Sequence, residues 1–392
     1  MKQQPNTSAR VSEPGKQPIT LAGVPSKDRL YCAIKLPPRP IFGDDVSVER
    51  AIIVEGAKKR WVNGAVLHYY LFDDSTEGST IELSDHTTEW RTWAGAPEQK
   101  AIVRWAFAAW KASGIGLDFQ EVTSRNAAEI RIGFQLDGGS WSRVGREDIL
   151  DLTDVNQRTM NFGWNLTDAY GHDTALHEIG HTLGLMHEHQ SPFSGIVWNN
   201  EAVYAAFGEG TSNNWCPQKI YDNILSKTDP SSVTGSEWDV NSVMEYQFGS
   251  GLVIKPQPYD TTGIHPTGGL SPLDIAWICK AYPPLAPVSD NLNLAKVEPL
   301  NVVNGAQRDF IVQPSHSGPY TVEALGRGDT LLALFENNNG ALWHVKSDDD
   351  SGEERNAKLQ VNLQKGQQYV LRAKQIYNED LSKPVQLALK QN

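Results

Sequence analysis

The run Gly64 to Phe72 (GAVLHYYLF) is dense in β-formers and predicts a strand. Pro97 then opens a helical stretch that places Ile102, Trp105, Ala106, Ala109 and Trp110 on one face, with Gly114 as its stop. Ile130, Ile132 and Phe134 alternate as one face of a second strand, and Thr159 to Trp164 predicts a third. Strand, helix, strand and strand in succession imply an α+β domain with a long helix packed on a mixed sheet. After Tyr282 the pattern changes. Pro283, Pro284 and Pro287 predict a stiff linker. Beyond it come short β-like runs, Thr330 to Phe335, Ala341 to Val345, Leu359 to Leu363 and Gln368 to Ala373, separated by Asn-Gly, Asp-Ser-Gly and Lys-Gly turns. Such a succession predicts a small all-β sandwich. The expected plan is a largely extended leader over 1–58, an α+β domain over 59–283, a Pro-rich linker over 284–290 and the sandwich over 291–392.

Composition narrows the classes. Hydrophobic residues make up 39% of the 392 and charged residues 21%, as in an ordinary globular protein. Asp+Glu 47 against Lys+Arg 35 leaves a net charge of −12, which repels nucleic acid and anionic membranes. No apolar run approaches the roughly 20 residues of a membrane span. The polar, Pro-rich start lacks the apolar core of a secretory signal. Three cysteines, Cys32, Cys216 and Cys279, permit one disulfide and one free thiol.

The chemistry is concentrated in GHDTALHEIGHTLGLMHEHQ, where five of the ten histidines fall between positions 172 and 189. His177-Glu178-x-x-His181 sets two imidazoles one helical turn apart on a single face, a spacing that lets both reach one Zn²⁺. Glu178, beside the first ligand, can reach a metal-bound water without ligating the metal. Gly184 can adopt φ > 0, end the helix and turn the chain so that His187 supplies a third ligand. Three protein ligands leave an open position, the mark of a catalytic zinc site. His172 and His189 flank the site and are expected on the surface or behind the ligands. The stretch Gly138 to Gly145 is a candidate sheet edge for an extended peptide substrate.

HEIGHTLGLMHE resembles the extended zinc signature of the metzincins, and Ser242-Val243-Met244-Glu245-Tyr246 resembles their Met-turn, with Met244 as a hydrophobic floor. Glu188 directly after the third histidine, and Tyr246 two after the methionine, resemble the astacin-like peptidases. Lys59 to Gly64 looks like the start of that family's mature domain, and Leu270 to Ile275 like its final helix. The resemblance spans about residues 50 to 283. It departs from the family in two places. At most one of the usual two disulfides can form, from Cys216 and Cys279, and Glu245 stands where the family often has histidine. A divergent microbial branch is the expected placement.

The resemblance implies a metzincin-type fold, one Zn²⁺ per chain, and an endopeptidase in which Glu178 is general base to a metal-activated water. Tyr246 is then a ligand in the resting enzyme that swings to the oxyanion, and Glu188 a partner for a freed N-terminus. The leader holds two candidate plugs for the open position: Cys32 as a thiolate, or Asp44 and Asp45 in Phe42-Gly43-Asp44-Asp45, which resembles the aspartate plug of astacin proregions. Residues 288 to 392 resemble the small β-domains that follow the catalytic part of secreted bacterial peptidases. From this we expect an extracellular destination, although no signal peptide is visible in this sequence, and a structural Ca²⁺ at the acidic run 348–352. Protein or peptide substrates, no nucleic acid, and a monomeric chain complete the expectation. Two competing readings stand beside it: an inert zinc-containing binding protein whose C-terminal β-domain carries function, and a metal-dependent hydrolase of non-peptide substrates. The intact Glu178 argues against the first, the Met-turn with Tyr246 against the second.

Overall fold

The computed structural model describes residues 30–34, 59–82, 87–136, 138–228 and 238–392. Strand β1 (Val66–Leu71) alternates as its sequence requires, burying Leu67, Tyr69 and Leu71. After the hairpin β2 (Gly78–Glu82) and β3 (Thr88–Thr92) comes helix α1 (Pro97–Ala112), with proline in its first turn. Its buried residues are Val103, Ala106, Phe107 and Trp110, while Trp105 is exposed against His172. The stripe is thus rotated by about one residue from the expected face. Strands β4 (Asp118–Glu121), β5 (Ile130–Gly133), β6 (Trp141–Ser142) and β7 (Met160–Asn161) complete a five-stranded sheet in the order β4-β1-β5-β7-β6. It is parallel except for β6, which runs antiparallel to β7 at the edge. Every residue of β5 is buried, because an inner parallel strand is covered on both faces. Its alternation of isoleucines is therefore not an inside–outside pattern.

Helix α2 (Gly145–Leu150) leads to the long helix α3 (Ala169–Thr182). Asp168 caps α3 by accepting from the Gly171 N–H, and Trp110 Nε1 donates to Leu176 O at 3.0 Å, tying α3 to α1. Beyond it lie α4 (Asn200–Phe207), the short α5 (Pro217–Ile220), a π-helical turn at Tyr221–Leu225, and α6 (Tyr259–Thr262). A short pair, β8 (Val197–Trp198) and β9 (Val253–Lys255), joins this region. Helix α7 (Pro272–Ala281) ends the catalytic part, opened by a capping box between Ser271 and Asp274.

The C-terminal part is two four-stranded antiparallel sheets. One holds β10 (Val297–Pro299), β17 (Gln386–Gln391), β12 (Gly318–Leu325) and β15 (Lys358–Leu363) in that order. The other holds β11 (Gln307–Val312), β16 (Gln368–Tyr377), β13 (Asp329–Asn338) and β14 (Ala341–Asp348). Their inner faces share a core that includes Phe310, Leu334, Leu359, Leu371 and Leu387. The second sheet turns its outer face to the catalytic part. Val62 packs there against Leu331, Ala333, Phe335 and Ile376. Around that contact Gln307 exchanges hydrogen bonds with the Asn63 backbone, the Arg372 guanidinium donates to Asn63 O, and Lys374 Nζ donates to Arg60 O at 3.1 Å. The acidic run at 348–352 is a turn. Asp348 accepts from Ser351 and Lys358, and Asp349 pairs with Arg146 at 3.5 Å. No helix among the described residues is long and apolar enough to cross a membrane.

Candidate metal centre

Three buried imidazoles converge at the C-terminal half of α3. His177 and His181 project from one helical face, and α3 ends where Gly184, at φ +93°, turns the chain back toward the site. His187 follows that turn. Each ring is held by its Nδ1: His177 donates to Val243 O at 2.8 Å, His181 to Leu185 O at 2.8 Å, and His187 to Gln190 Oε1 at 3.1 Å. A backbone carbonyl can only accept, so the first two bonds set the Nδ1–H tautomer. For His187 the Gln190 amide is oriented by its own Nε2, which donates to Asp222 O and to Ser226. All three Nε2 lone pairs therefore face inward.

That arrangement fits a cation. His177 Nε2 is buried with no protein partner, and His181 Nε2 lies 3.2 Å from His187 Nε2, two acceptors in contact. Tetrahedral zinc with imidazole nitrogens at about 2.0–2.1 Å holds them about 3.3 Å apart. The Tyr246 hydroxyl repeats the pattern, having one proton but two acceptors: Cys32 O at 2.5 Å and His187 Nε2 at 2.8 Å. Burial lowers the pKa of His177 to about 4 and those of His181 and His187 well below their usual value, with neighbouring imidazoles adding to the effect on the latter two. The rings are neutral at pH 7, as metal ligation requires.

Glu178 is fully buried beside them. Its Oε2 accepts from Cys32 Sγ at 3.5 Å, its Oε1 has no partner, and burial pushes its pKa up to about 8. A cation at the three imidazoles would draw it down again. Cys32 is the fourth member of the cluster. Its Sγ lies 3.7 Å from His181 Nε2, and the ligand atoms of Cys32, His177, His181 and His187 all fall within 4.8 Å of one another. The leader segment 30–34 thus crosses the site. Ala33 N donates to Ser140 O next to the edge strand β6, and Ile34 N to Asn223 Oδ1. Asp44 and Asp45 lie outside the described residues.

The floor is the turn after Ser242. Asp274 accepts from Ser242 Oγ at 2.6 Å and Val243 N at 2.8 Å, and Glu188 N donates to Met244 O, which sets Met244 Sδ against Gly180 between His177 and His181. Glu188 itself is partly buried and accepts from Asp239 N at 3.0 Å; burial raises its pKa to about 7. Glu245 is buried, accepts from Trp238 Nε1 and Tyr246 N, and is pushed well above the usual carboxylate range by that burial. His189 is fully buried and stacks on His187 with centroids 5.1 Å apart, whereas His172 caps its own helix turn at Asp168 O. Cys216 and Cys279 are both free, so the one disulfide they allowed does not form. Gln190, Asp222, Ser226 and Asp274 carried no signal as site residues, except that Ser271-Pro272-x-Asp274 spells a helix cap.

A helix carrying two inward imidazoles, a third returned by a glycine turn and a buried glutamate make a candidate metal site beside a mixed sheet. Residues 91–254 match the sequence model of the Astacin peptidase family, and this part of the chain is an astacin peptidase domain. Among solved structures the chain is similar to myroilysin, at 26% identity over 58% of this chain and 97% of that one, with a TM-score of 0.48. It is also similar to high choriolytic enzyme 1, a hatching-enzyme zinc-protease of the medaka fish Oryzias latipes, at 20% identity over 56% and 91%, with a TM-score of 0.35. The pre-peptidase C-terminal domain of a collagenase from Bacillus anthracis matches at 16% identity over 27% and 99%, with a TM-score of 0.20. No curated protein matches the chain.

Proposed function

We propose that the chain is a zinc-dependent endopeptidase held latent by Cys32. The observation that carries the reading is the convergence of three proton-free Nε2 atoms beside the unpartnered Oε1 of Glu178, with a cysteine of the leader completing the cluster. His177, His181 and His187 hold one zinc, which when bound supplies Lewis acidity to a water and to the scissile carbonyl. Glu178 takes a proton from the attacking water and hands it to the departing amine. The Tyr246 hydroxyl donates to the carbonyl oxygen of the bound peptide, as it now donates to Cys32 O. The edge at Ser140 to Ser142 binds the extended backbone through the groups that now meet Ala33. Glu188 is the candidate acceptor for an amino terminus freed when the leader is cut. An extracellular site of action is part of this proposal.

The test is cleavage of denatured casein by the full-length protein and its Glu178→Ala variant, before and after trimming of the leader with trace trypsin. We expect wild-type activity after trimming, abolished by a zinc chelator, and a Glu178→Ala variant that keeps zinc but is inert. Zinc-loaded wild type that stays silent in both states would sink the reading and favour a binding protein instead.

A further inference from the structure

The leader crosses the cleft, and one of its side chains is received by a built pocket. Tyr31, next in the chain to Cys32, is 4% exposed although it belongs to a segment of only five described residues. Its ring packs edge-on against Phe207 at 4.8 Å, against Tyr246 at 5.3 Å and over Phe248 at 6.3 Å. Its hydroxyl donates to Gln247 O at 2.6 Å, and its backbone N–H to Asn213 Oδ1 at 3.1 Å.

The walls of this pocket are also held by contacts outside the leader. Phe207 closes helix α4 and packs on Trp215, and Phe248 is wedged between Trp198 and His189. Tyr246 is shared, with its ring lining the pocket and its hydroxyl at the metal centre. The pocket is therefore fixed in distance to the reacting atoms. The backbone around Tyr31 is also held at the points a substrate offers: Tyr31 N by Asn213, Cys32 O by Tyr246, Ala33 N by Ser140 O. Removing the leader leaves an aromatic-walled slot with a carbonyl acceptor at its end.

We infer that this slot is the specificity pocket of the enzyme, and that it selects a tyrosine, or failing that a phenylalanine, within two residues of the scissile bond. The inference rests on the peptidase reading. Shape and apolar walls favour any aromatic ring, and Gln247 O distinguishes tyrosine, because a ring without a hydroxyl leaves that carbonyl without its donor.

The experiment is cleavage-site mapping of the zinc-loaded, leader-trimmed enzyme on a denatured-proteome peptide library. A matched synthetic series follows, carrying Tyr, Phe, Leu or Ala at the enriched position. Residual trypsin cuts beside Lys and Arg and is separable. The expected result is aromatic enrichment at one fixed position, with Tyr preferred to Ala by about tenfold or more and to Phe by about two- to tenfold. Phe207→Ala is expected to collapse the Tyr-to-Ala ratio, and should it fail to fold, the wild-type series decides alone. Cleavage without aromatic preference at any position near the bond overturns the pocket and leaves the peptidase reading intact. No cleavage of any peptide overturns both.

Discussion

The sulfur of Met244 rests on the backbone of Gly180, so close that a Cβ at position 180 would lie 2.5 Å from Sδ. Gly180 sits between the candidate ligands His177 and His181 on α3, and Met244 comes from a turn more than sixty residues further along the chain. The contact sets how deeply the floor can approach the imidazoles. Gly180→Ala must displace Met244, and such overpacking costs about 1–3 kcal/mol. We expect a lower melting temperature and weaker zinc retention. Met244→Ala in the same chain should restore part of the loss, so the double variant is less destabilised than the sum of the singles. Strict additivity, read by thermal melting, would count against the contact.

Cys32 is the only leader side chain among the described residues within reach of the candidate metal ligands. Cys32→Ala is expected to raise the casein activity of the untrimmed chain above that of untrimmed wild type, yet to leave it below that of the trimmed protein, because Tyr31 and the leader backbone still occupy the cleft. If the variant remains silent until trimmed, the rest of the leader blocks the cleft without the thiol.

Gln190 fixes the ring of His187 through Oε1 while its Nε2 is bound to Asp222 and Ser226. Groups that orient a metal-bound imidazole typically contribute 10- to 100-fold in affinity. Gln190→Ala should weaken zinc binding by about that factor in chelator competition, and Gln190→Glu, which keeps the acceptor, should lose less. Equal losses would mean that packing alone orients the ring.

Acid should destabilise the site. Burial lowers the pKa of His189 to about 3 and that of His177 to about 4, against an ordinary value of 6.5. The unfolded chain therefore binds more protons below about pH 6.5, so stability falls as pH drops from there toward the folded values. For His189 the loss at pH 5 is on the order of 2 kcal/mol. His189→Gln preserves a donor to Asn223 O and does not titrate. Its melting temperature should fall less between pH 7 and pH 5 than that of wild type. A parallel fall in the two proteins would remove His189 from the account.

Arg372 couples the two parts of the chain. Its guanidinium is buried, donates to Asn63 O and lies 3.9 Å from Asp309. Arg372→Met removes the cation from two half-buried acceptors that Gln307 Nε2 still reaches, a loss of about 1–3 kcal/mol. We expect calorimetry to resolve two transitions in the variant where the wild type shows one. A single unshifted transition would show that Val62 and its apolar neighbours suffice.

The candidate zinc ligands were legible in the sequence because their geometry is local. A helical repeat of four puts His177 and His181 on one face, and a glycine able to take φ +93° returns the chain to His187. The strands of the sandwich were legible as short β-forming runs between turn residues, although only β15 alternates, β13 and β16 being covered on both faces. Interior strands were harder to read, since β5 is buried on both faces and β7 is only two residues long. What depends on chain segments meeting across long separations was not legible at all. Only the folded chain sets Gln190 behind His187, Asp274 behind the methionine turn, Val62 on the outer face of the sandwich, and Tyr31 among Phe207, Tyr246 and Phe248. Local backbone sterics and hydrophobic period determine which side chains a helix or strand presents. Which surfaces then meet is decided by burial summed over the whole molecule, and no window of sequence contains that sum.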